Sequence, residues 1–185
     1  MKFYSLPTFY IINDIVEHSE IKSQLLEYIH EMPDGVISDD YERLSKTDWN
    51  IPKDHQRKYL EVFYPIIRPY IVNICDELGF KAWNVDNTWY QVYNKGDTHK
   101  WHIHSKTNYT NVYYVHLPDE SIKTQIYDEI TKSIIELEVH EGQLITFPAN
   151  IKHRSPVNDT DQQKVIISFN SNFHTVIVDE NEQSN

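Results

Sequence analysis

The segment Trp101-His102-Ile103-His104 has the residue types and spacing best suited to chemistry. On a strand, residues two apart face the same way, so both imidazoles would project into whatever the sheet encloses. Two neutral imidazoles on one face make half of a facial metal site. A third ligand must come from a distant strand, since one strand cannot wrap three sides of an ion. His153 is the natural candidate, because it follows an apolar run ending Phe147-Pro148-Ala149-Asn150 and precedes another strand near Val165. Imidazole suits iron, zinc, copper or nickel, so these ligands leave the metal open. The competing reading is a pair of ordinary half-exposed strand histidines, which a bare His-x-His motif does not exclude.

The elements that would position these side chains follow from periodicity. Thr88–Tyr93, Asn111–Val115, Gln143–Phe147 and Val165–Phe169 are short, β-branched and aromatic, as strands are. Asn94-Lys95-Gly96-Asp97, His140-Glu141-Gly142 and Asn158-Asp159-Thr160-Asp161 supply turns between them. Residues from about 14 to 80 read instead as helical. Ile15, Leu25, Leu26 and Ile29 lie on helical spacing after Asn13-Asp14, a plausible cap. A second apolar stripe runs from Leu60 to Leu78 and ends at Gly79, with Pro65 and Pro69 inside it expected to kink or break the helix. Both stripes read as core packed on a sheet. Helices followed by some eight strands, over about 83 to 178, imply an α+β fold with the strands rolled into a sandwich or barrel. His99, three residues before His102, should lie off the shared face of the pair, and His116 should be structural.

Composition narrows the function further. The chain has 185 residues, 39% hydrophobic and 24% charged, an ordinary globular balance that fits one domain, 1–185. Its net charge is −11, which argues against nucleic acid and anionic membrane as partners of the whole surface. No apolar run approaches a bilayer span, and Met1 to Pro7 lacks the apolar core of a secretory signal. Cys75 is the single cysteine, so no internal disulfide forms and a reducing cytoplasm is the expected location. Asp179 to Asn185 reads as a frayed polar tail.

The order of the pieces adds a resemblance. Tyr93-Asn94-Lys95-Gly96 precedes His102-Ile103-His104, and Val112-Tyr113-Tyr114-Val115 follows. Then come Glu141-Gly142-Gln143-Leu144-Ile145-Thr146-Phe147-Pro148, His153, and Lys164-Val165-Ile166-Ile167-Ser168-Phe169-Asn170. This series resembles the core of the 2-oxoglutarate/Fe(II)-dependent oxygenase superfamily, in its prolyl-hydroxylase-like branch, and especially small oxygenases of marine phages and bacteria. Thr47-Asp48-Trp49 also resembles a segment of that group.

The resemblance implies a double-stranded β-helix (a jelly roll, cupin-like) with the N-terminal helices packed on it. It implies Fe(II) held by His102, His104 and His153, with 2-oxoglutarate as co-substrate and O₂ as oxidant. Lys164 would meet the far carboxylate of 2-oxoglutarate, and Tyr114 and Tyr93 would give it phenolic hydrogen bonds. The implied reaction is hydroxylation of an unactivated C–H bond in a small-molecule or peptidyl substrate, in the cytoplasm (the host's, for a phage protein). A homodimer is compatible with it. Tyr90, Tyr109 and Trp101 are the expected aromatic surface at the mouth.

Two positions depart from the usual pattern. His104 stands where most relatives carry a carboxylate, and Lys164 where many carry arginine, a point charge in place of a bidentate fork. A cupin-like three-histidine dioxygenase that uses no keto acid, or a silent metal-binding β-helix module, therefore stays as an alternative.

Overall fold

Alternation along three central strands sets the architecture. In the computed structural model, which describes residues 8–39 and 42–175, strand β5 runs Ala82–Tyr93, β7 Tyr109–His116 and β12 Lys164–His174. On them Tyr90, Val92, Tyr113, Val115, Val165, Ile167 and Phe169 pack in one hydrophobic cluster with the two helices. Their neighbours Tyr93, Val112, Tyr114 and Ile166 pack in a second cluster on the opposite face. The period of two thus separates a helix-facing side from an interior side.

Five strands complete the first sheet or open the second. β1 is Ile11–Asp14, β2 Ile37–Ser38, β3 Glu42–Leu44, β4 Lys46–Thr47 and β6 Thr98–His102. The remaining four are β8 Gln125–Asp128, β9 Ser133–Glu136, β10 Gln143–Pro148 and β11 His153–Ser155. They form two six-stranded sheets, ordered β1-β10-β7-β12-β5-β4 and β2-β3-β6-β11-β8-β9. Every pairing is antiparallel. The sheets face each other across the second cluster, as in a rolled sandwich closed by helices on one side. The α+β expectation holds: the eight strands expected over about 83 to 178 are β5 to β12, and four more, β1 to β4, precede them among the described residues.

Helix α1 is His18–Glu31 and buries Ile21, Leu25 and Ile29, one turn apart. Asn13-Asp14 does not cap it: both residues belong to β1, which pairs with β10, and Glu17 occupies the cap position. Residues 37–38, 42–44 and 46–47 form three short strands where helix was expected, because β3 pairs with β6, β4 with β5, and β2 with β3.

Helix α2, Lys58–Glu77, runs without interruption through Pro65 and Pro69. The two prolines lie one turn apart on the exposed side, where water can satisfy the carbonyls they leave without donors. On the other side Tyr59, Phe63, Ile67, Ile71 and Ile74 are buried, each worth about 1.5–3 kcal/mol. Together these outweigh roughly 3 kcal/mol for each interior proline. The helix stops at Gly79 (φ +78°), where Gly79 N–H donates to Asp76 O and Phe80 N–H to Cys75 O, a Schellman closure. No helix among the described residues is long and apolar enough to cross a membrane. The initial segment to Pro7 and the tail from Asp179 lie outside the described residues.

Candidate metal centre

His153 on β11 is the direct cross-strand partner of His102 on β6. The third ligand therefore comes from a strand distant in sequence but adjacent in the sheet. His104 lies just past the end of β6, where its N–H donates to Ala149 O at 2.9 Å. One candidate ligand nitrogen from each of the three residues lies within 4.8 Å of the others. The ring centroids of His102 and His153 are 4.2 Å apart, and those of His104 lie 5.3 and 5.1 Å from the two.

The tautomers are fixed by what each ring touches. Nδ1 of His102 lies 2.7 Å from Lys100 O, and Nδ1 of His153 lies 2.9 Å from Ile151 O. Nδ1 of His104 lies 2.6 Å from Asn170 Oδ1. A carbonyl oxygen only accepts, so each Nδ1 carries the proton and donates, and each Nε2 keeps a bare lone pair. Burial holds all three rings neutral: His102 is pushed down to about 4, and His104 and His153 also lie below the usual histidine value. The donor set matches a soft-to-borderline transition metal bound by imidazole.

His99 is not off the shared face. Its ring stacks on His102 at 3.8 Å and 11°. The cause is a register shift: two steps on β11, from His153 to Ser155, oppose three on β6, from His102 to His99. The extra residue is a β-bulge, which turns His99 inward beside the ligands. Burial first, then the nearby His102, lowers its pKa to about 3.

Two cavities meet at the cluster, and Trp89, His99, His102 and His104 line both. The inner one, about 30 Å³, reaches Tyr93, Thr124 and Ser155. It has room for one or two waters and is smaller than a five-carbon keto diacid. Lys164, fully buried, stands just behind its wall and donates to Ser155 Oγ at 2.6 Å and Ile122 O at 2.7 Å. Its amine lies 4.4 Å from the centroid of the Tyr93 ring, and burial lowers its pKa to about 7. Tyr114, also fully buried, accepts from Thr124 N–H at 3.2 Å, and burial pushes its phenol up to about 12. The structure thus gathers the three histidines, Lys164, Tyr93 and Tyr114 in one interior. Arg154, between His153 and Ser155, turns out instead and stacks on Trp101 at 4.6 Å.

The aromatic residues expected at the mouth are elsewhere. Tyr90 points to the helices, with its ring 5.5 Å from Tyr59. Tyr109 packs on Phe173 at 4.7 Å in the helix-side core. Trp101 adjoins His102 on the strand, so it faces outward, against Tyr127 and Arg154. Trp49 and Trp89 take their place over the cluster, with Trp89 5.9 Å from His104. Asn170, which orients His104, has no motif of its own to mark it, although its even spacing from Lys164 along β12 puts both on the interior face. His116 lies away from the cluster, its Nδ1 2.7 Å from Glu141 Oε2, in line with a structural role.

No protein-family model matches the chain, and a search of curated proteins finds no matching sequence. Solved structures do match. A Pseudomonas putida prolyl-4-hydroxylase aligns with TM-score 0.62 at 10% identity, over 90% of this chain and 92% of that one. The non-heme alpha-ketoglutarate-dependent epimerase SnoN of nogalamycin biosynthesis aligns with TM-score 0.66 at 11% identity, over 92% and 82%. A Trichoplax adhaerens prolyl hydroxylase, in complex with a hypoxia inducible factor peptide, aligns with TM-score 0.62 at 13% identity, over 89% and 83%. The chain therefore has the double-stranded β-helix fold of the 2-oxoglutarate-dependent oxygenases. Within that fold it carries three histidines at the interior of the barrel.

Proposed function

We propose that this chain is a 2-oxoglutarate- and Fe(II)-dependent dioxygenase, acting as a hydroxylase, with its metal on His102, His104 and His153. The observation that carries this reading is the tautomer pattern: three neighbouring rings each commit Nδ1–H to a carbonyl oxygen and leave Nε2 bare. Iron held there together with the keto acid would supply the oxidising chemistry, with O₂ as oxidant. The chain's own residues bind and orient.

Lys164 is the interior cation for the far carboxylate. In the resting protein its amine is held by Ser155 Oγ and Ile122 O, and a carboxylate at that point would restore the charge that burial discourages. Tyr93 and Tyr114 stay protonated at neutral pH, because burial raises both phenols, so each can donate. Space for the keto acid would come from parting the side chains around the inner cavity. The substrate is a small molecule or a peptidyl side chain, and residues 1–185 act as one domain in a reducing compartment, Cys75 being a buried free thiol.

A second reading, a three-histidine dioxygenase that needs no keto acid, is favoured by two observations. His104 offers imidazole at the position expected to carry a carboxylate, and the inner cavity is small. Aerobic incubation with Fe(II), ascorbate and 2-oxoglutarate separates the two. Slow succinate formation that needs both Fe(II) and 2-oxoglutarate, and is lost in Lys164→Ala, is the expected result. Metal-loaded protein that forms no succinate would move the assignment to the second reading.

A further inference from the structure

The outer cavity, about 330 Å³, opens over His102 and His104 and is of the size that takes a small ligand. Trp49 and Trp89 wall one side, edge to face with centroids 4.7 Å apart, and Trp49 is 54% exposed. A half-exposed indole at the mouth of a cavity is apolar surface still without a partner.

No lysine or arginine lines this cavity, and its one carboxylate is Glu42. The Glu42 side chain is only 18% exposed. Its Oε1 accepts from Gln91 Nε2 at 3.1 Å and lies 3.6 Å from His99 Nδ1, while Oε2 has no partner among the described residues. Burial raises its pKa, against the opposing hydrogen bond from Gln91. A sheltered carboxylate without a cation carries a desolvation cost that a bound cation would offset. Indole faces attract the same kind of group. A neutral ring in this space would leave Glu42 uncompensated.

Building on the oxygenase reading, we propose that this cavity is the substrate subsite and takes a cationic group, an alkylammonium or guanidinium, with Glu42 as its ion-pair partner and Trp49 and Trp89 as its walls. The substrate class is then a free or peptidyl basic amino acid. The net charge of −11 draws such a substrate toward the protein.

The test uses the 185-residue chain loaded with Mn(II) and 2-oxoglutarate, with tryptophan fluorescence as the readout. The probes are Nα-acetyl-arginine amide against its neutral isostere Nα-acetyl-citrulline amide, and Nα-acetyl-lysine amide against Nα-acetyl-norleucine amide. At least one cationic probe should bind saturably and on the order of tenfold or more tightly than its neutral partner. Glu42→Gln should erase that preference, and Trp49→Leu should reduce it severalfold. Equal binding of each pair, no binding of either cation, or a preference that survives Glu42→Gln would overturn the proposal. Anaerobic Fe(II) and 2-oxoglutarate titration of the same preparations reads the chelate separately. A normal chelate with no cation preference therefore defeats this inference alone, and a missing chelate defeats the oxygenase reading.

Discussion

His104 is the one candidate ligand whose orientation depends on a side chain that can be replaced. His102 and His153 donate Nδ1–H to backbone carbonyls two residues earlier, which mutation cannot remove without moving the strand. His104 donates to Asn170 Oδ1 at 2.6 Å. Asn170→Ala removes that acceptor, frees the His104 ring to rotate and lets its proton move to the nitrogen that should face the metal. Loss of such an orienting partner costs 10- to 100-fold in metal affinity, about 1.4–2.7 kcal/mol. Asn170→Asp keeps an acceptor and adds negative charge, so its affinity should equal or exceed wild type. Competition with a chromophoric chelator under anaerobic Fe(II), or under air with Co(II), gives the three dissociation constants. Circular dichroism checks that all three proteins are folded. An affinity for Asn170→Ala within twofold of wild type would falsify the assignment of His104 as an oriented ligand.

Three other outcomes follow from the geometry. Lys164 has its folded-state pKa lowered to about 7 from 10.5, so between these values the unfolded chain holds the extra proton. Apo-protein stability should rise with pH through that window, and urea unfolding should show the rise in wild type but not in Lys164→Met. Asp48 accepts from Arg57 Nε at 2.7 Å, Tyr59 OH at 2.8 Å and Tyr90 N at 3.0 Å, fully buried. Asp48→Ala strands the Arg57 charge and should cost about 3–5 kcal/mol by denaturant titration, loosening Trp49 beside it. Trp101→Ala should leave metal and 2-oxoglutarate affinity within about twofold of wild type, because its ring lies on the outer face of the sheet.

What could be seen in the sequence was the part that depends on local spacing. His-x-His and the strand patterns around it declare themselves by period two, and the order of pieces to Lys164 points to the fold. The same parity excludes Trp101, next to His102, and Tyr90, between Trp89 and Gln91, from the interior. Other features depend on the partner strand. The bulge that turns His99 inward exists only relative to β11, so no periodicity on β6 announces it. Glu42 and Trp49 come from a segment whose residues look helical or irregular alone and become strand and rim by pairing with β5 and β6. Pro65 and Pro69, expected to kink or break α2, leave it uninterrupted because both sit on its wet side.

Three imidazoles converging inside the barrel are most directly tested by anaerobic titration of Fe(II)-loaded protein with 2-oxoglutarate, read in the visible spectrum. A weak metal-to-ligand charge-transfer band that saturates with one keto acid per chain, and vanishes in His153→Ala, is the expected result. Full retention of the band in His153→Ala, or bound iron that yields no band in wild type, would contradict it.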